Sequence, residues 1–276
     1  MSFLALGSAT YDLSSRALVM GILNRTPDSF YDRGAHWDMK SFLVRAQQLV
    51  DEGADLLDIG GVKAGPGPEV GEQEEMDRVV PAIELIHQRF DLPIAVDTWR
   101  ASVAAAAFDA GAVVGNDISG FADDQYLPAA ARAGASVVAT HIRLAPRIPD
   151  PQPDYADVVT EVSDFLLDRA GQAAAAGLSR ERIILDAGLD LGKTAEQSVA
   201  LLRASDRLAG HGYPLLLSAS NKTFIGRLLD LDIDRRGNAS LAAAALGVAL
   251  GCRIVRAHDV RGTRRVCHLL AAIMEA

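Results

Sequence analysis

The chain has 276 residues, of which 49% are hydrophobic, and its formal net charge is −9 at pH 7. This length is typical of a single (β/α)8 barrel. The acidic balance argues against a broad nucleic-acid surface, and no apolar run has the pattern of a signal segment or the length of a membrane span. We therefore expect a cytoplasmic protein that binds neither nucleic acid nor membrane.

Hydrophobic runs predict an N-terminal hairpin followed by alternating strands and helices. Residues 2–15 combine short apolar alternation with turn formers, and we expect this hairpin to plug the bottom of a barrel. The predicted strands are 18–23, 56–59, 93–97, 112–115, 136–140, 183–186, 214–217 and a run that starts at Ile254. The predicted helices are 39–53, 72–90, 100–110, 124–133, 155–176, 240–250 and 261–275.

This alternation, without a domain-scale linker, predicts the α/β class and a closed parallel (β/α)8 TIM barrel, as one domain over 1–276. An open doubly wound sheet is the alternative, but no Gly-x-Gly-x-x-Gly turn follows the first strand.

The two cysteines, Cys252 and Cys267, lack metal-site spacing. We expect two buried thiols rather than a disulfide.

Polar side chains follow the predicted strands, where the active site of such a barrel lies. They are Asn24, Asp58, Asp97, Asn116, Asp117, His141, Asp186, Ser218, Ser220, Lys222, Arg256 and His258. Two positions apart on an extended chain, Arg256 and His258 point to the same side and suit a phosphate or pyrophosphate. Asp97 and Asp186 end apolar strands, so they need hydrogen-bond donors if they are buried. For any one of these residues, a helix cap or a turn is an open alternative.

Carboxylates, an amide and Lys222 together can bind the donor edge of an amino-pyrimidinone ring. Six motifs carry a resemblance to a known family: they span 20–30, 58–61, 96–98, 116–120, 220–226 and 256–260. With these motifs the chain resembles the dihydropteroate synthase family from Leu18 to its last helix.

The resemblance implies a role in folate biosynthesis, namely condensation of 6-hydroxymethyl-7,8-dihydropterin pyrophosphate with para-aminobenzoate and release of pyrophosphate. The implied pterin-binding residues are Asp97, Asn116, Asp186 and Lys222. Of these, Asp97 and Lys222 would be catalytic. Asn24 would be a ligand of Mg²⁺ and would bind the pyrophosphate through this ion. Arg256 and His258 would contact the same pyrophosphate. The resemblance also implies a homodimer formed through helices late in the chain.

The chain departs from the family pattern where the amine would bind. The second loop of the family reads Gly-Gly-Glu-Ser-Thr-Arg-Pro-Gly, whereas here Ala64 and Gly65 replace the Thr and the Arg. Asp190 adds a negative charge to the sixth loop, where Leu191 replaces a Phe, and Asn221 replaces an Arg. The altered second-substrate region comprises Lys63, Ala64, Gly65, Leu191, Ser220 and Asn221.

We therefore expect a divergent paralogue that keeps the pterin pyrophosphate pocket and has weak or lost condensing activity. A functional dihydropteroate synthase in which Lys63 compensates for the missing Arg is one alternative. A methyltransferase-type enzyme acting on a reduced folate is another, although Arg256 and His258 suit pyrophosphate better than a folate tail. An amine other than para-aminobenzoate also fits the altered loops.

Overall fold

The computed structural model describes residues 3–14, 16–26, 38–65 and 67–274. The end of the first motif, residues 27–30, and Pro66 of the second loop lie outside the described residues, as do the ends of the predicted N-terminal hairpin.

Strands and helices alternate along most of the described chain. The strands are β1 (Phe3–Leu6), β2 (Ala9–Asp12), β3 (Leu18–Asn24), β4 (Leu56–Gly60), β5 (Ile94–Asp97), β6 (Val114–Asp117), β7 (Ser136–Thr140), β8 (Ile183–Asp186), β9 (Leu215–Leu217) and β10 (Ile254–Ala257). The α-helices are α1 (Met39–Asp51), α2 (Glu72–Arg89), α3 (Ala101–Asp109), α4 (Tyr126–Ala133), α5 (Val158–Ala175), α6 (Ala195–Arg203), α7 (Ser205–Ala209), α8 (Thr223–Leu229), α9 (Gly237–Ala249) and α10 (Val260–Met274). Short 3₁₀ turns occupy Arg180–Arg182 and Ile233–Arg235.

Strands β3 to β10 form a closed parallel barrel in the order β10-β3-β4-β5-β6-β7-β8-β9. Strand β10 closes the ring, because Ile254 pairs with Leu18 of β3 and with Leu216 of β9. The predicted (β/α)8 barrel is confirmed, and the open doubly wound sheet is not observed.

Side chains alternate between the two faces of the barrel strands, as a period of two requires. Val19 and Leu57 belong to the buried layer between strands and helices. Leu18, Met20 and Leu56, one position away, belong to a second buried cluster inside the barrel. The strands are therefore apolar on both faces, which explains their continuous hydrophobic runs.

The N-terminal hairpin closes the amino end of the barrel. Strands β1 and β2 pair antiparallel, and Leu4, Leu6 and Leu13 pack into the cluster inside the barrel. This confirms the predicted plug. It also leaves the carboxyl ends of the strands as the end at which a ligand can enter.

Sequence patterns placed some boundaries incorrectly. Strand β6 covers Val114–Asp117 rather than 112–115, because Asn116 and Asp117 continue the pairing with Asp97 and Ala139. Helices α6, α7 and α8 were not delimited, although Thr194 and Gln197 form a capping box that marks the start of α6.

Cys252 and Cys267 are both free and buried, as expected. In the part of the chain that the structure describes, no helix combines the length and apolarity needed to cross a membrane.

The hairpin plug makes a testable contribution to stability. Leu4 is 0% exposed, and we expect Leu4→Ala to lower the free energy of unfolding by about 2–5 kcal/mol, because it leaves a cavity in the barrel floor. Urea unfolding followed by circular dichroism measures this. Phe3→Ala, on the same strand but 51% exposed, is the control and should change it by less than about 1 kcal/mol. Equal effects of the two substitutions would contradict the plug.

Candidate active site

A cavity of about 290 Å³, here called the inner cavity, lies at the carboxyl ends of the strands. Most of the predicted site residues line it: Asn24, Lys63, Ala64, Gly65, Asp97, Leu191, Ser220, Asn221, Lys222, Arg256 and His258. Asn116 and Asp186 are almost fully buried and are not part of this lining. The fold thus brings residues from strands far apart in sequence to one place.

Arg256 bridges the buried carboxylate of Asp58 and the partly buried carboxylate of Asp97. Its Nε donates to Asp58 Oδ2 at 2.5 Å, and its Nη2 donates to Asp97 Oδ2 at 2.7 Å. Asn116 Nδ2 lies 3.2 and 3.3 Å from the two carboxylate oxygens of Asp58, to which it donates. The barrel register creates this arrangement, since Gly60, Asp97 and Asn116 pair at one level of β4, β5 and β6.

Asp58 is the residue that sequence reasoning undervalued. It was recognised at a strand end but given no role, and the structure places it at the centre of the charged network. Its signal was a single carboxylate inside the apolar run Leu-Leu-Asp-Ile-Gly. Such a carboxylate needs a cationic partner when it is buried.

Burial shifts the pKa values of Asp97, Asp186 and Lys222, three of the residues predicted to bind a pterin ring. It raises the pKa of Asp97 to about 7; the Arg256 guanidinium opposes this rise, and the carboxylate of Asp58 adds to it. Burial also raises the pKa of Asp186, whose Oδ1 accepts from the Gly188 amide at 2.8 Å. Burial lowers the pKa of Lys222, an effect that the nearby Asp190 and Asp186 oppose.

His258 is held by a neighbour and is neutral at pH 7. Its Nδ1 lies 2.9 Å from Ser220 Oγ, and its backbone N–H donates to the same oxygen at 3.1 Å. Burial, assisted by Arg256 and Arg45, lowers the pKa of His258 to about 3. This side chain therefore offers a ligand hydrogen bonding rather than a positive charge. Among the residues predicted to bind the ring or the pyrophosphate, Arg256 and Lys222 remain as cations, and both are partly buried.

Asn24 is compatible with the expected Mg²⁺. Among residues 3–14, 16–26, 38–65 and 67–274, no three His, Cys, Asp or Glu side chains form a metal-binding group. However, Mg²⁺ commonly binds through few protein ligands, with waters and phosphate oxygens completing its shell. Asn24 lines the cavity, and a Cβ at Gly60 would lie only 3.4 Å from Asn24 Oδ1, so glycine leaves room beside this oxygen.

The second loop runs along the other side of the inner cavity. Arg78 Nη1 donates to the carbonyl of Gly61 at 2.7 Å and fixes the start of this loop. The Cε of Lys63 would lie 3.8 Å from a Cβ at Gly65. Lys63 thus lies beside the backbone position from which the arginine of the family pattern would extend.

Asn221 lines the cavity but is anchored away from it. Its backbone φ is +57°, and its backbone N–H donates to Ser240 Oγ of α9 at 2.9 Å. Its side-chain oxygen accepts from the same hydroxyl at 3.4 Å, and the side chain is buried. Asn221 therefore cannot reach as far into the cavity as the longer arginine of the family pattern.

Lys193 and His141 form a buried pair that the sequence did not reveal. Lys193 Nζ lies 2.8 Å from His141 Nδ1 and donates to the carbonyls of His141, Gly188 and Leu191. Burial lowers the pKa of Lys193 to about 7 and that of His141 to about 3. The pair connects the loops after β7 and β8. Its only signal was a lysine at the end of a glycine-containing loop.

Comparisons with known proteins agree with the geometry. Residues 20–258 match the family model of pterin binding enzymes. The chain is 42% identical to the inactive dihydropteroate synthase 2 of Mycobacterium leprae, over 94% of this chain and 91% of that protein. It is 40% identical to the dihydropteroate synthase of Bacillus subtilis, over 94% and 89% respectively.

Among solved structures, the sulfonamide complex of Yersinia pestis dihydropteroate synthase is similar with a TM-score of 0.94 and 38% identity. The similarity covers 99% of both chains. The matched residues include the strand ends whose side chains meet in the inner cavity. The chain therefore belongs to the dihydropteroate synthase family of folate biosynthesis.

Proposed function

We propose that the chain binds 6-hydroxymethyl-7,8-dihydropterin pyrophosphate and condenses it with para-aminobenzoate weakly or not at all. One observation supports both parts. Asp97, Lys222 and Arg256 line one cavity together with Ala64 and Gly65, which replace the family's Thr and Arg. The ring side thus keeps its partly buried charged groups, whereas the amine side has lost a hydroxyl and a guanidinium.

The pterin ring is assigned to the carboxylate side. Its ring N–H and exocyclic amino group are donors, which the carboxylates of Asp97 and Asp186 can accept. Lys222 donates to a ring oxygen or nitrogen, and Asn116 contributes its amide. Because Asp186 and Asn116 do not line the inner cavity, their contacts with the ring require side chains of the lining to move. Because Asp97 already accepts from Arg256 at 2.7 Å, ring donors replace or share that bond. Asp97 and Lys222 are the residues we propose as catalytic.

The pyrophosphate is assigned to Asn24, Arg256 and His258. Asn24 would be the protein ligand of a Mg²⁺ ion, which when bound neutralises charge on the leaving diphosphate. Arg256 supplies a guanidinium and the neutral imidazole of His258 supplies hydrogen bonding. These contacts orient the ring methylene towards the second-loop side of the cavity.

The condensation requires no covalent intermediate on the protein. The amine nitrogen attacks the methylene carbon, the carbon–oxygen bond to the diphosphate breaks, and pyrophosphate leaves with the electron pair. The amine then loses a proton. Loss of an Arg and a Thr near this transition state lowers the rate by about 100-fold or more.

Overall sequence identity does not distinguish an active synthase from an inactive paralogue here, so the proposal of weak or lost activity rests on the altered loops. The inactive relative is 42% identical and the synthase is 40% identical, so the two are nearly equally similar to this chain. A working synthase is the second candidate, and the position of Lys63 beside Gly65 favours it. No described contact favours the reduced-folate methyltransferase, which we do not propose.

We also propose a homodimer formed through the late helices. Leu246 of α9 and Leu269, Ile273 and Met274 of α10 are large exposed apolar residues. Leu269 and Ile273 are four residues apart, so they lie on one helix face. The cytoplasmic location expected from the sequence stays a prediction.

Removal of a ring ligand tests the pterin assignment. We expect Lys222→Ala and Asp97→Ala each to weaken binding of 6-hydroxymethyl-7,8-dihydropterin pyrophosphate by about 30-fold or more, because each removes a partly buried charged partner. Isothermal titration calorimetry with Mg²⁺ present measures this. Exposed Lys40→Ala and Asp124→Ala are matched controls and should leave the affinity unchanged. Unchanged affinity in the two cavity variants would show that the ring binds elsewhere.

The raised pKa of Asp97 predicts a pH dependence of pterin binding. The ionised carboxylate accepts from the ring donors more strongly than the protonated acid does, and the pKa of Asp97 is about 7 in the free protein. Affinity should therefore fall by about 10-fold as the pH is lowered from 8 to 6. Titrations at several pH values measure this, with magnesium pyrophosphate alone as the reference for ionisation of the diphosphate.

Lys193→Gln provides the control for this pH dependence, since Lys193 is another buried group with a pKa of about 7. The slope should persist in this variant and should be absent in Asp97→Asn. A slope that disappears with Lys193 and persists without Asp97 would contradict the assignment.

Restoring the family residues tests the loss of activity. We expect Ala64→Thr with Gly65→Arg to raise the rate of pyrophosphate release with para-aminobenzoate by about 10-fold or more. Gly71→Arg places an arginine outside the cavity, where nothing lies within 4 Å of the new Cβ, and should have no effect. A rate already ordinary for the family, lost on Lys63→Ala, would favour the working synthase instead.

A further inference from the structure

A second cavity, here called the outer cavity, adjoins the inner cavity on the side of the altered loops. Its volume is about 280 Å³, and the loops after β7 and β8 provide much of its lining. Five residues border both cavities: Ala64, Gly65, Asp190, Leu191 and Thr223. Four of them are positions at which the chain departs from the family pattern. These departures are therefore concentrated at the boundary between the cavities.

Small side chains leave this boundary open. Ala64, Gly65 and Leu191 stand where the family pattern has the larger Thr, Arg and Phe. Within the described part of the chain, the nearest atom to a Cβ at Gly65 is Lys63 Cε at 3.8 Å, and no other lies within 4 Å. An arginine at position 65 would occupy space that is open here. A ligand can therefore extend from the inner cavity into the outer one.

The charged lining of the outer cavity has more cations than carboxylates. The cations are Arg147, Lys193 and Arg227, and the carboxylates are Asp150 and Asp190. Arg143 already binds the carboxylate of Asp150, to which its Nε and Nη2 donate at 2.5 and 2.8 Å. The Asp190 carboxylate accepts from the backbone N–H groups of Thr223 and Phe224. Because both carboxylates have donors of their own, the cavity can attract an anion although the chain is acidic overall.

Arg147 and Arg227 are the cations whose donors a ligand can use. Arg147 donates through Nη2 to the carbonyl of Pro68 at 2.5 Å, and its other N–H groups remain available. Among the described residues, Arg227 forms no hydrogen bond or ion pair, although the exposed carboxylate of Glu196 lies within electrostatic range. Lys193 contributes less, since its ammonium donates to three backbone carbonyls. A guanidinium binds a carboxylate through two parallel hydrogen bonds, so the outer cavity suits an acidic group.

We propose that the second ligand of this chain is an aromatic amine with an acidic arm, whose ring lies at the boundary and whose acid reaches Arg147 and Arg227. The carboxylate of para-aminobenzoate is attached directly to the ring and would end beside Asp190, whereas an arm carries the charge beyond this residue to the arginines. The inference rests on the proposed function, because the amine is bound beside a pterin and a diphosphate. It names the class of second substrate.

The test compares three amines that differ in the arm and its charge. The protein is first loaded with 6-hydroxymethylpterin and magnesium pyrophosphate, which fill the ring and diphosphate positions and cannot condense. Calorimetric titration then measures the affinities for para-aminobenzoate, for para-aminobenzoylglycine and for the uncharged para-aminobenzoylglycinamide. We expect para-aminobenzoylglycine to bind at least about 10-fold more tightly than either of the others.

Arginine variants establish the cause of this preference. Arg227→Gln and Arg147→Gln each remove a positive charge, and together they should reduce the preference for the arm-bearing acid over its amide to about twofold or less. Arg132→Gln is the matched control, because Arg132 is an exposed arginine in the last turn of α4 that lines neither cavity. It should leave the preference unchanged. Thermal melting confirms that each variant is folded, and the exposed position of Arg227 makes Arg227→Gln sufficient by itself if the double variant does not fold. Alone, it should at least halve the preference.

Failure of this inference and failure of the proposed function give different results. If the pterin and pyrophosphate bind but the arm-bearing acid binds no more tightly than para-aminobenzoate or the amide, the outer cavity does not select an acidic arm. The same conclusion follows if the preference is unchanged in the folded arginine variants, or if none of the amines binds. If the pterin and pyrophosphate themselves do not bind, the proposed function is wrong, and the inference is wrong with it.

Discussion

The pairing of Arg256 with Asp58 and Asp97 is the interaction on which the rest of the site depends. Buried carboxylates are costly unless a cation and hydrogen bonds compensate them, and here one guanidinium donates to both. Removal of that guanidinium would leave Asp58 and Asp97 without the cation that donates to both of them. The two ion pairs of Arg256 also connect β10, the strand that closes the barrel, to β4 and β5. Closure of the fold and assembly of the site are thus parts of one arrangement.

The same constraint makes substitutions more costly on one side of the inner cavity than on the other. On the ring side, Asp58, Asp97 and Arg256 balance each other, so replacing one leaves its partner buried and uncompensated. On the amine side, loop positions such as Ala64 and Gly65 have no charged side chain whose replacement would leave a buried partner uncompensated. The start of that loop is held by Arg78 through the backbone of Gly61, and this contact does not depend on the side chains at 64 and 65. Divergence can therefore accumulate on one side without loss of the fold.

The barrel and the position of the site could be predicted from the sequence because both follow from periodic features. Apolar runs alternate with helical patterns, and the polar residues after the runs meet at one end once the strands are parallel. The hairpin plug was predicted for the same kind of reason. The members of the charged network could be named, but their pairing could not. Asp58 and Arg256 are 198 positions apart, and only the register of the closed barrel brings them together.

Features set by backbone conformation were also beyond sequence reasoning. The added charge of Asp190 was visible, whereas its contacts with the amides of Thr223 and Phe224 depend on a positive φ and on the position of α8. Asn221 belongs to the predicted second-substrate region, and its hydrogen bond to Ser240 of α9 likewise depends on a left-handed backbone conformation. Strand β6 is longer at its end than its apolar run, because Asn116 and Asp117 continue the ladder.

The most direct test of the account is a crystal structure of the chain with 6-hydroxymethyl-7,8-dihydropterin pyrophosphate and Mg²⁺. We expect the pterin ring against Asp97 and Lys222, the diphosphate beside Asn24 and Arg256, and the Asp190 carboxylate still bound to the backbone amides of Thr223 and Phe224. A ring bound outside the inner cavity would contradict the retained pterin pocket. An Asp190 side chain that no longer accepts from those two backbone amides, so that the ligand binds them instead, would contradict the altered second-substrate region.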